Sequence, residues 1–461
     1  MSNVQTQQID KLKSHFKGEI ILPNDVAYDD ARKIWNAMID KRPSLIARCA
    51  TTSDVVRGVD FARDNGILLA IRGGGHNIAG NAICDGGIVI DLSRMKASNV
   101  NSDTRRVTIE GGATLNDLDA ATLAHGLATP LGINSTTGVA GLTLGGGFGW
   151  LSRKYGMTVD NLESAEVVTS AGEIVHASLT EHDDLFWALR GGGGNFGAVT
   201  RFEFRLHPVG PDVLSGLIVY PLSQAKSVLE QYRDFIAKAP NELSVWGVLR
   251  QAPPLPFLPP EIHGKGMVAL AICYAGDPKQ GELLIEPLRN FGTPAGEHVG
   301  VQPYVAWQQA FDPLLTPGAR NYWKSHNLSS LADGLFDLVI EYVEKLPSPQ
   351  CEIFFGAIGG ATERPAPNFT AYAHRDAKFI MNVHSRWEDP ADDKRCIDWA
   401  RSFLNASAPF ASSGVYVNFL TADESSRVRF AYGLNYDRLT QIKHKYDPDN
   451  LFRVNQNISP A

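Results

Sequence analysis

Three glycine clusters, each beside an apolar stretch, constrain this chain more than any other feature. The first is Arg72-Gly73-Gly74-Gly75-His76-Asn77, which directly follows the apolar run 67–71, a pattern typical of a buried strand. Consecutive glycines carry no Cβ atoms, so the backbone can adopt positive φ angles, lie against a flat ligand and present N–H groups to an anion. This stretch predicts a ligand-binding turn, although a surface loop with an exposed histidine would have the same sequence.

The second cluster spans 131–149 and the third spans 184–200. The third contains the G-x-G-x-x-G spacing of dinucleotide-binding loops, ending at Gly197. In a Rossmann fold that loop follows a strand and opens a helix. Here it follows the helix-like stretch 185–189 and precedes a strand pattern at 199–206. The context therefore argues against a Rossmann nucleotide site.

Between the clusters, short strand patterns alternate with amphipathic helices. Strands are predicted at 42–48, 87–92 and 106–110, and helices between Thr52 and Gly66 and from Thr114 to about Ala124. This alternation is typical of an α+β or α/β fold.

The composition is that of an ordinary globular protein, with 44% hydrophobic and 20% charged residues. A length of 461 residues favours two domains. The net charge of −7 comes from 43 basic and 50 acidic residues that are scattered along the chain. No basic stripe is present, which argues against nucleic acid or an anionic membrane as a partner.

The cysteines indicate neither a metal site nor a redox pair, because no CxxC spacing occurs. Buried free thiols are expected at all five positions, which are Cys49, Cys84, Cys273, Cys351 and Cys396. The segment Met1–Gln5 has neither the basic nor the apolar region of a signal peptide, and no run of 18 apolar residues occurs. We expect a soluble cytoplasmic protein, and no protein partner is implied.

Two proline-containing turns, His207-Pro208 and Gly210-Pro211, mark a predicted domain boundary. From there to about Phe419 the glycine clusters thin out, and alternating apolar strands and longer helices replace them. The sequence therefore predicts a second domain of different architecture in this region.

The first cluster resembles the flavin-binding loop R-G-G-G-H-x of the berberine bridge enzyme-like FAD-linked oxidases, within the wider vanillyl-alcohol oxidase type of flavoprotein. The second cluster is similar to the family's loop G-x-C-P-T-V-G-x-x-G-x-x-x-G-G-G-x-G, with the glycine spacing matched throughout. The third is similar to D-L-F-W-A-x-R-G-G-G-x-N-F-G-x-V-T, and the tail 436–458 resembles the family's C-terminal signature. The resemblance covers nearly the whole chain.

The resemblance implies an α+β, two-domain fold of the PCMH type. Residues 1–206 would form the FAD-binding domain, and residues 207–419 a substrate domain with an antiparallel sheet covered by helices. Residues 420–461 would return to the FAD-binding domain.

The resemblance also implies FAD as cofactor, covalently attached through His76 to the 8α carbon of the flavin. The cysteine that forms a second bond in many relatives is Asn134 here, so only the histidyl linkage remains; alternatively Asn134 is an ordinary turn residue. No metal is implied. The matching cofactor residues are Arg72, Gly73, Gly74, Gly75, His76, Asn77, Gly132, Asn134, Thr137, Gly138, Gly141, Gly145, Gly146, Gly149, Val199, Asn455 and Asn457.

The catalytic base is not apparent from the sequence, because the two tyrosines of the family are replaced by Phe148 and Phe419. Tyr322, Tyr416 and Asn418 are the leading catalytic candidates. The remaining polar candidates are Lys324, His374 and His384. Each of these could equally be structural.

The implied reaction is transfer of a hydride from a small organic substrate, an alcohol, amine or aromatic compound, to flavin, with oxygen then reduced to hydrogen peroxide. Thr137 stands where oxygen-reactive relatives carry valine, and its similar volume favours an open path for oxygen. The alternatives are a dehydrogenase with a non-oxygen acceptor, a carbohydrate oxidase, and a flavin-binding protein without turnover, which the missing tyrosines keep open.

Overall fold

The computed structural model describes residues 6–412 and 414–461. The segment Met1–Gln5, expected not to be a signal peptide, lies outside the described residues. Within the described ranges, no helix combines the length and apolar character needed to span a bilayer. The structure mixes helices with four sheets, which confirms the α+β prediction.

The first sheet holds the first glycine cluster at one strand end. Its strands, in spatial order, are Glu19–Ile21, Leu45–Arg48, Ile88–Asp91 and Leu69–Arg72, of which the last three are parallel. Helix Thr52–Asp64 packs on it and begins with a capping box in which Thr51 accepts from the N–H of Asp54. The helix thus lies within the range predicted between Thr52 and Gly66.

A second, five-stranded sheet is antiparallel and lies beside the other two clusters. Its order is Ser98–Asn101, Arg106–Glu110, Ala198–Arg205, Leu162–Val168 and Ile174–Ser178. A separate pair joins Leu127–Ala128 to His207–Pro208. The glycines of the third cluster, at 191–194 and 197, lie between helix Asp183–Leu189 and strand Ala198–Arg205, the reverse of a Rossmann arrangement.

The third large element is a seven-stranded antiparallel sheet, called here the large sheet. In spatial order its strands are Gly296–Pro303, Asp212–Pro221, Gly266–Tyr274, Leu243–Gln251, Glu352–Ala357, Phe379–Trp387 and Arg320–Leu328. All seven lie inside the segment 207–419 that the sequence assigns to a second domain.

Helices cover one face of the large sheet. Helix Asp393–Ser407 packs on strands Phe379–Trp387 and Arg320–Leu328, and helix Asp333–Val343 packs on Leu243–Gln251. Helices Ala225–Ile236 and Pro278–Arg289 pack on Asp212–Pro221. Since alternate side chains of a strand point to opposite faces, the other face is left to line a cavity.

The C-terminal segment packs against the first part of the chain. Val428, Tyr432 and Ile458 are buried in the same hydrophobic cluster as Val139 and Phe202. The two tail helices are Val428–Tyr432 and Tyr436–Tyr446, and the remaining helices of the described chain are Thr6–His15, Tyr28–Ala31, Leu115–Leu123, Val139–Leu144, Ser152–Tyr155 and Tyr304–Gln308.

Candidate active site

One cavity of about 470 Å³ lies between the glycine clusters and the uncovered face of the large sheet. Residues of all three clusters line one side of it, and side chains from six strands of the large sheet line the other. The cavity thus joins the two halves of the molecule that the sequence treats as separate domains.

Most of the sequence-predicted cofactor residues lie at this cavity. Arg72, Gly145, Gly146, Gly149 and Asn457 do not line it. The predicted residues that do are Gly73, Gly74, Gly75, His76, Asn77, Gly132, Asn134, Thr137, Gly138, Gly141, Val199 and Asn455.

Sequence reasoning missed further residues on this side of the cavity, among them an aromatic side chain and three glycines. Trp35 and Gln456 line it, as do Gly193, Gly194 and Gly197 of the third cluster. The glycine motif of the third cluster was the available signal for Gly193, Gly194 and Gly197, even though its Rossmann interpretation does not apply. Trp35 lies in an irregular segment and had no such signal.

Glycine is required where the first two clusters touch. A Cβ atom on Gly74 would lie 2.3 Å from the backbone nitrogen of Gly138, and one on Gly138 would lie 2.3 Å from the nitrogen of Gly74. Gly75 has φ +72°, a conformation that side chains disfavour. The two loops therefore meet backbone to backbone, and a side chain at Gly74 or Gly138 would force them apart.

Arg72 supports this loop from behind rather than from within the cavity. Its Nη2 lies 2.8 Å from Asp91 Oδ2, and its Nη1 donates to the carbonyl of Ala31 at 2.7 Å. Both side chains of the ion pair are buried. The pair fixes the end of the strand from which the glycine turn departs.

His76 follows the turn and is held on several sides. The indole ring of Trp35 stacks on its imidazole with centroids 5.0 Å apart. Thr136 Oγ1 lies 2.9 Å from Nε2, and Thr137 Oγ1 lies 3.5 Å from Nδ1. Burial lowers the pKa of His76 to about 4, so the imidazole is neutral at cellular pH.

The large sheet contributes a row of four cross-strand neighbours. Arg250 pairs with Glu352, Glu352 with His384, and His384 with Trp323. Arg250 Nη1 lies 2.7 Å from Glu352 Oε2, and His384 Nδ1 lies 3.3 Å from Glu352 Oε1. Burial alone would raise the pKa of Glu352, but Arg250 and His384 outweigh it and hold that pKa at about 2.

His384 was a sequence candidate, whereas Glu352 and Arg250 were missed. Burial lowers the pKa of His384, with Glu352 opposing the shift. A charged residue inside the otherwise apolar strand Glu352–Ala357 was the available signal for Glu352.

Aromatic rings form the rest of the wall. Phe148 lies 5.6 Å from Trp246 and 6.0 Å from Phe419, measured between ring centroids. Trp150 lies 4.7 Å from Trp246, and Phe354 stacks on Trp246 at 5.6 Å. The two phenylalanines that replace the family tyrosines are thus both part of an apolar cavity wall.

Two of the three catalytic candidates line the cavity. Tyr416 Oη accepts hydrogen bonds from the N–H of Gly147 and from Asn418 Nδ2, each at 3.0 Å, so its own hydrogen remains available for a ligand. Burial raises the pKa of Tyr416 to about 12. Asn418 also donates to the carbonyl of Leu142 at 3.1 Å.

Three polar candidates, Tyr322, Lys324 and His374, do not line the cavity. The hydroxyl of Tyr322 donates to Asp423 Oδ2 at 2.5 Å, and Lys324 forms an ion pair with Glu424 at 2.8 Å. His374 Nε2 bonds to the carbonyl of Ala431 at 2.9 Å. These contacts explain all three side chains as structural.

Comparison with known proteins identifies the family to which the chain belongs. Residues 43–178 match the FAD binding domain family, and residues 415–459 match the family described as berberine and berberine like. An FAD-linked oxidoreductase of Dictyostelium discoideum is 32% identical over 460 residues, covering 99% of this chain and 97% of that protein.

The chain belongs to the berberine bridge enzyme-like family of FAD-linked oxidoreductases. Among solved structures of the family, 6-hydroxy-D-nicotine oxidase from Arthrobacter nicotinovorans superposes with a TM-score of 0.87 at 29% identity, covering 97% of this chain and 98% of that one. Glucooligosaccharide oxidase from Acremonium strictum, with a 6-S-cysteinyl, 8α-N1-histidyl FAD, has the same fold, with a TM-score of 0.87 at 24% identity covering 98% and 99%.

The residues that line the cavity fit the FAD of this family. Gly141 and Gly194 line the cavity, and a Cβ atom on either would meet open space rather than a neighbour, so the absence of side chains there leaves room for a ligand. The neutral imidazole of His76 lines the same side of the cavity and can act as a nucleophile. No cysteine lines the cavity; within the described ranges all five are buried elsewhere.

Proposed function

We propose that this protein is an FAD-dependent oxidase of small aromatic substrates. When bound, FAD would supply the acceptor for a hydride from the substrate, and oxygen would take up the electrons to give hydrogen peroxide. The observation that carries the proposal is the cavity of about 470 Å³ in which the glycine clusters face the Glu352–His384 pair and a wall of aromatic rings.

The glycine clusters would hold the cofactor. Backbone N–H groups of Gly73 to Gly75 and of the loop at Gly138 suit its phosphates, since these glycines line the cavity and carry no side chains of their own. His76 would form the one covalent bond to the 8α carbon, because Asn134 offers no thiol for a second. That bond makes the flavin a stronger oxidant.

The Glu352–His384 pair is the proposed acceptor for the substrate proton. Asn321 Nδ2 donates to the carbonyl of Ala319, so its Oδ1 is the acceptor that faces His384 Nε2 at 3.1 Å. Glu352 Oε1, 3.3 Å from Nδ1, is a second acceptor, and a neutral imidazole has only one hydrogen to offer the two. A proton taken up by the ring would therefore satisfy both acceptors, and the Glu352 carboxylate would stabilise the imidazolium.

The wall of the cavity favours a flat, apolar substrate. Phe148 and Phe419 offer no hydrogen bonds where the family has tyrosines, and Trp246 and Phe354 extend the same surface. A sugar would leave several hydroxyl groups without partners on such a wall, each at a cost. The oxidase of 6-hydroxy-D-nicotine is therefore a better guide to substrate class than the oligosaccharide oxidase.

The test is anaerobic reduction of the purified yellow protein by a panel of aromatic amines, aromatic alcohols and sugars, read by bleaching of flavin absorbance. We expect bleaching by aromatic compounds, and hydrogen peroxide in proportion when air is admitted. Rapid bleaching by sugars alone would overturn the substrate class. Slow reoxidation in air with fast reduction of a quinone would make the protein a dehydrogenase, and no bleaching by any substrate would favour a non-catalytic flavoprotein.

A further inference from the structure

The side chains around His76 determine which of its ring nitrogens carries hydrogen. Asn134 Oδ1 accepts from the backbone N–H of Thr136 at 3.0 Å, and this contact identifies the atom as oxygen because an N–H can only donate. Thr136 Oγ1 lies 2.7 Å from the same Oδ1. The only hydrogen available between these two oxygens is that of the threonine hydroxyl.

The hydroxyl of Thr136 is therefore committed to Asn134, and its oxygen can only accept from the imidazole. Thr136 Oγ1 lies 2.9 Å from His76 Nε2, so the hydrogen of that bond belongs to Nε2. A neutral imidazole has one N–H, which leaves a lone pair on Nδ1. Thr137 Oγ1, 3.5 Å from Nδ1, is too distant to bind that lone pair strongly.

We propose that Asn134 and Thr136 are positioning residues for flavin attachment, which fix the Nε2–H tautomer of His76 so that Nδ1 is the nucleophile toward the 8α carbon of FAD. This inference rests on the covalent attachment proposed above. The stack of Trp35 on one face of the ring limits its rotation and keeps the same edge toward the cavity.

Formation of the bond between His76 and the 8α carbon needs no reagent besides oxygen. Attachment breaks one C–H bond of the 8α-methyl group and the Nε2–H bond, and forms the Nδ1–C bond. Two electrons and two protons pass to the ring system and from there to oxygen, which leaves as hydrogen peroxide.

Asn134 thereby gains a role where many relatives carry the second covalent tether. A turn residue would need only its bond to the backbone N–H of Thr136, which stabilises an Asx turn. The additional bond to the hydroxyl is the one that reaches His76. The two roles are separable by substitution.

The experiment follows covalent FAD in the full-length protein by intact mass, with total bound FAD measured by absorbance. Removing one hydrogen bond typically costs enough to slow attachment about threefold to tenfold, and we expect this for Thr136→Val with total FAD retained. Thr136→Ser keeps the hydroxyl and should restore the rate. Thr143→Val is the matched control, because the buried hydroxyl of Thr143 has no hydrogen-bond partner among the described residues and does not line the cavity.

A second pair of variants tests Asn134 alone. Asn134→Ala frees the threonine hydroxyl to donate to Nε2, which moves the imidazole hydrogen to Nδ1 and should slow attachment similarly. Asn134→Asp keeps the accepting oxygen and should attach FAD at close to the wild-type rate. If Thr136→Val binds no FAD, its attachment rate cannot be measured, and the rates of the two Asn134 variants then test the positioning role.

Wild-type attachment rates in both Thr136→Val and Asn134→Ala, with His76→Ala losing the adduct, would overturn the positioning role and leave the covalent link intact. FAD that is fully released by acid from the wild-type protein would overturn the link itself, and with it this inference.

Discussion

The indole ring of Trp35 lies against the imidazole of His76, with ring planes 22° from parallel. The same indole lies 5.4 Å from the guanidinium carbon of Arg386 and donates from Nε1 to the carbonyl of Leu315 at 3.0 Å. Trp35 thus connects the first glycine turn to residues of the region 207–419, and it shields the histidine from water.

Replacing Trp35 by alanine should make flavin attachment sensitive to acid. Burial holds the pKa of His76 near 4, so exposure should raise that pKa toward about 6.5. At pH 5 the wild-type imidazole is mostly neutral, whereas the exposed one would be mostly protonated and unable to attack. We expect attachment to slow roughly tenfold at pH 5 and little at pH 8. Trp35→Phe is the control that keeps a stacked ring, and identical pH profiles for all three proteins would contradict the shielding role.

Thr137→Leu should slow reoxidation of the reduced protein by oxygen while leaving flavin reduction nearly unchanged. Thr137 lines the cavity beside His76, and leucine would add bulk on the path to the flavin. Stopped-flow reoxidation of the two proteins in air-saturated buffer measures the effect. Equal rates would mean that Thr137 is an ordinary loop residue.

The cofactor side of the site was predictable because its signals are local. A run of glycines specifies close backbone approach wherever it occurs, and the three clusters named most residues that line that side of the cavity. Strand and helix positions were also predicted to within a few residues, since Ala198–Arg205 was expected at 199–206 and Leu115–Leu123 from Thr114 to Ala124.

The substrate side was not predictable in the same way. Arg250 and Glu352 are 102 positions apart, and they meet because strands Leu243–Gln251 and Glu352–Ala357 pair in one particular register. A shift of one residue would turn both side chains to the opposite face of the sheet. A single sequence carries no local signal for such a register, so Tyr322 and Lys324 looked as suitable as His384.

His384→Asn should lower the rate of flavin reduction by about 10² to 10⁴, the usual contribution of a general base. Burial lowers the pKa of His384 below 6.5, so in the wild type the rate should fall only as the pH drops below that value. The asparagine variant should lack this acid limb. Anaerobic stopped-flow reduction with an aromatic amine or alcohol between pH 4.5 and 9 gives both quantities. A variant with the wild-type rate and limb would assign the proton to another group.

Glu352→Gln should destabilise the protein at neutral pH and much less in acid. The folded-state pKa of Glu352 is about 2, below its unfolded value of about 4.3, so its stabilisation is present above pH 4.3 and is lost as the pH falls toward 2. The shift corresponds to about 3 kcal/mol. Urea unfolding at pH 7 and pH 3 tests this, with Glu341→Gln as control because its pair with Lys345 is exposed. An equal loss of stability at both pH values would contradict the linkage.

The two tyrosine candidates should differ from each other and from His384 in kinetics. A tyrosine acting as base would give a rate that rises as its phenol ionises, and that limb would vanish in the phenylalanine variant. Burial raises the pKa of Tyr416 to about 12, and burial together with Asp423 raises that of Tyr322 further, so neither phenol ionises below pH 10.

We therefore expect Tyr322→Phe to leave the pH dependence of flavin reduction unchanged, since its hydroxyl is bonded to Asp423 outside the cavity lining. Tyr416→Phe should slow reduction about threefold to tenfold at every pH, because it removes the hydroxyl hydrogen that Tyr416 can offer to a bound substrate and does not remove a base. A basic limb below pH 10 that disappears in Tyr416→Phe would return the role of base to that tyrosine. In that case the His384→Asn variant should retain most of its activity. The pH dependence of flavin reduction in Tyr416→Phe and in His384→Asn therefore identifies which one of the two groups accepts the substrate proton.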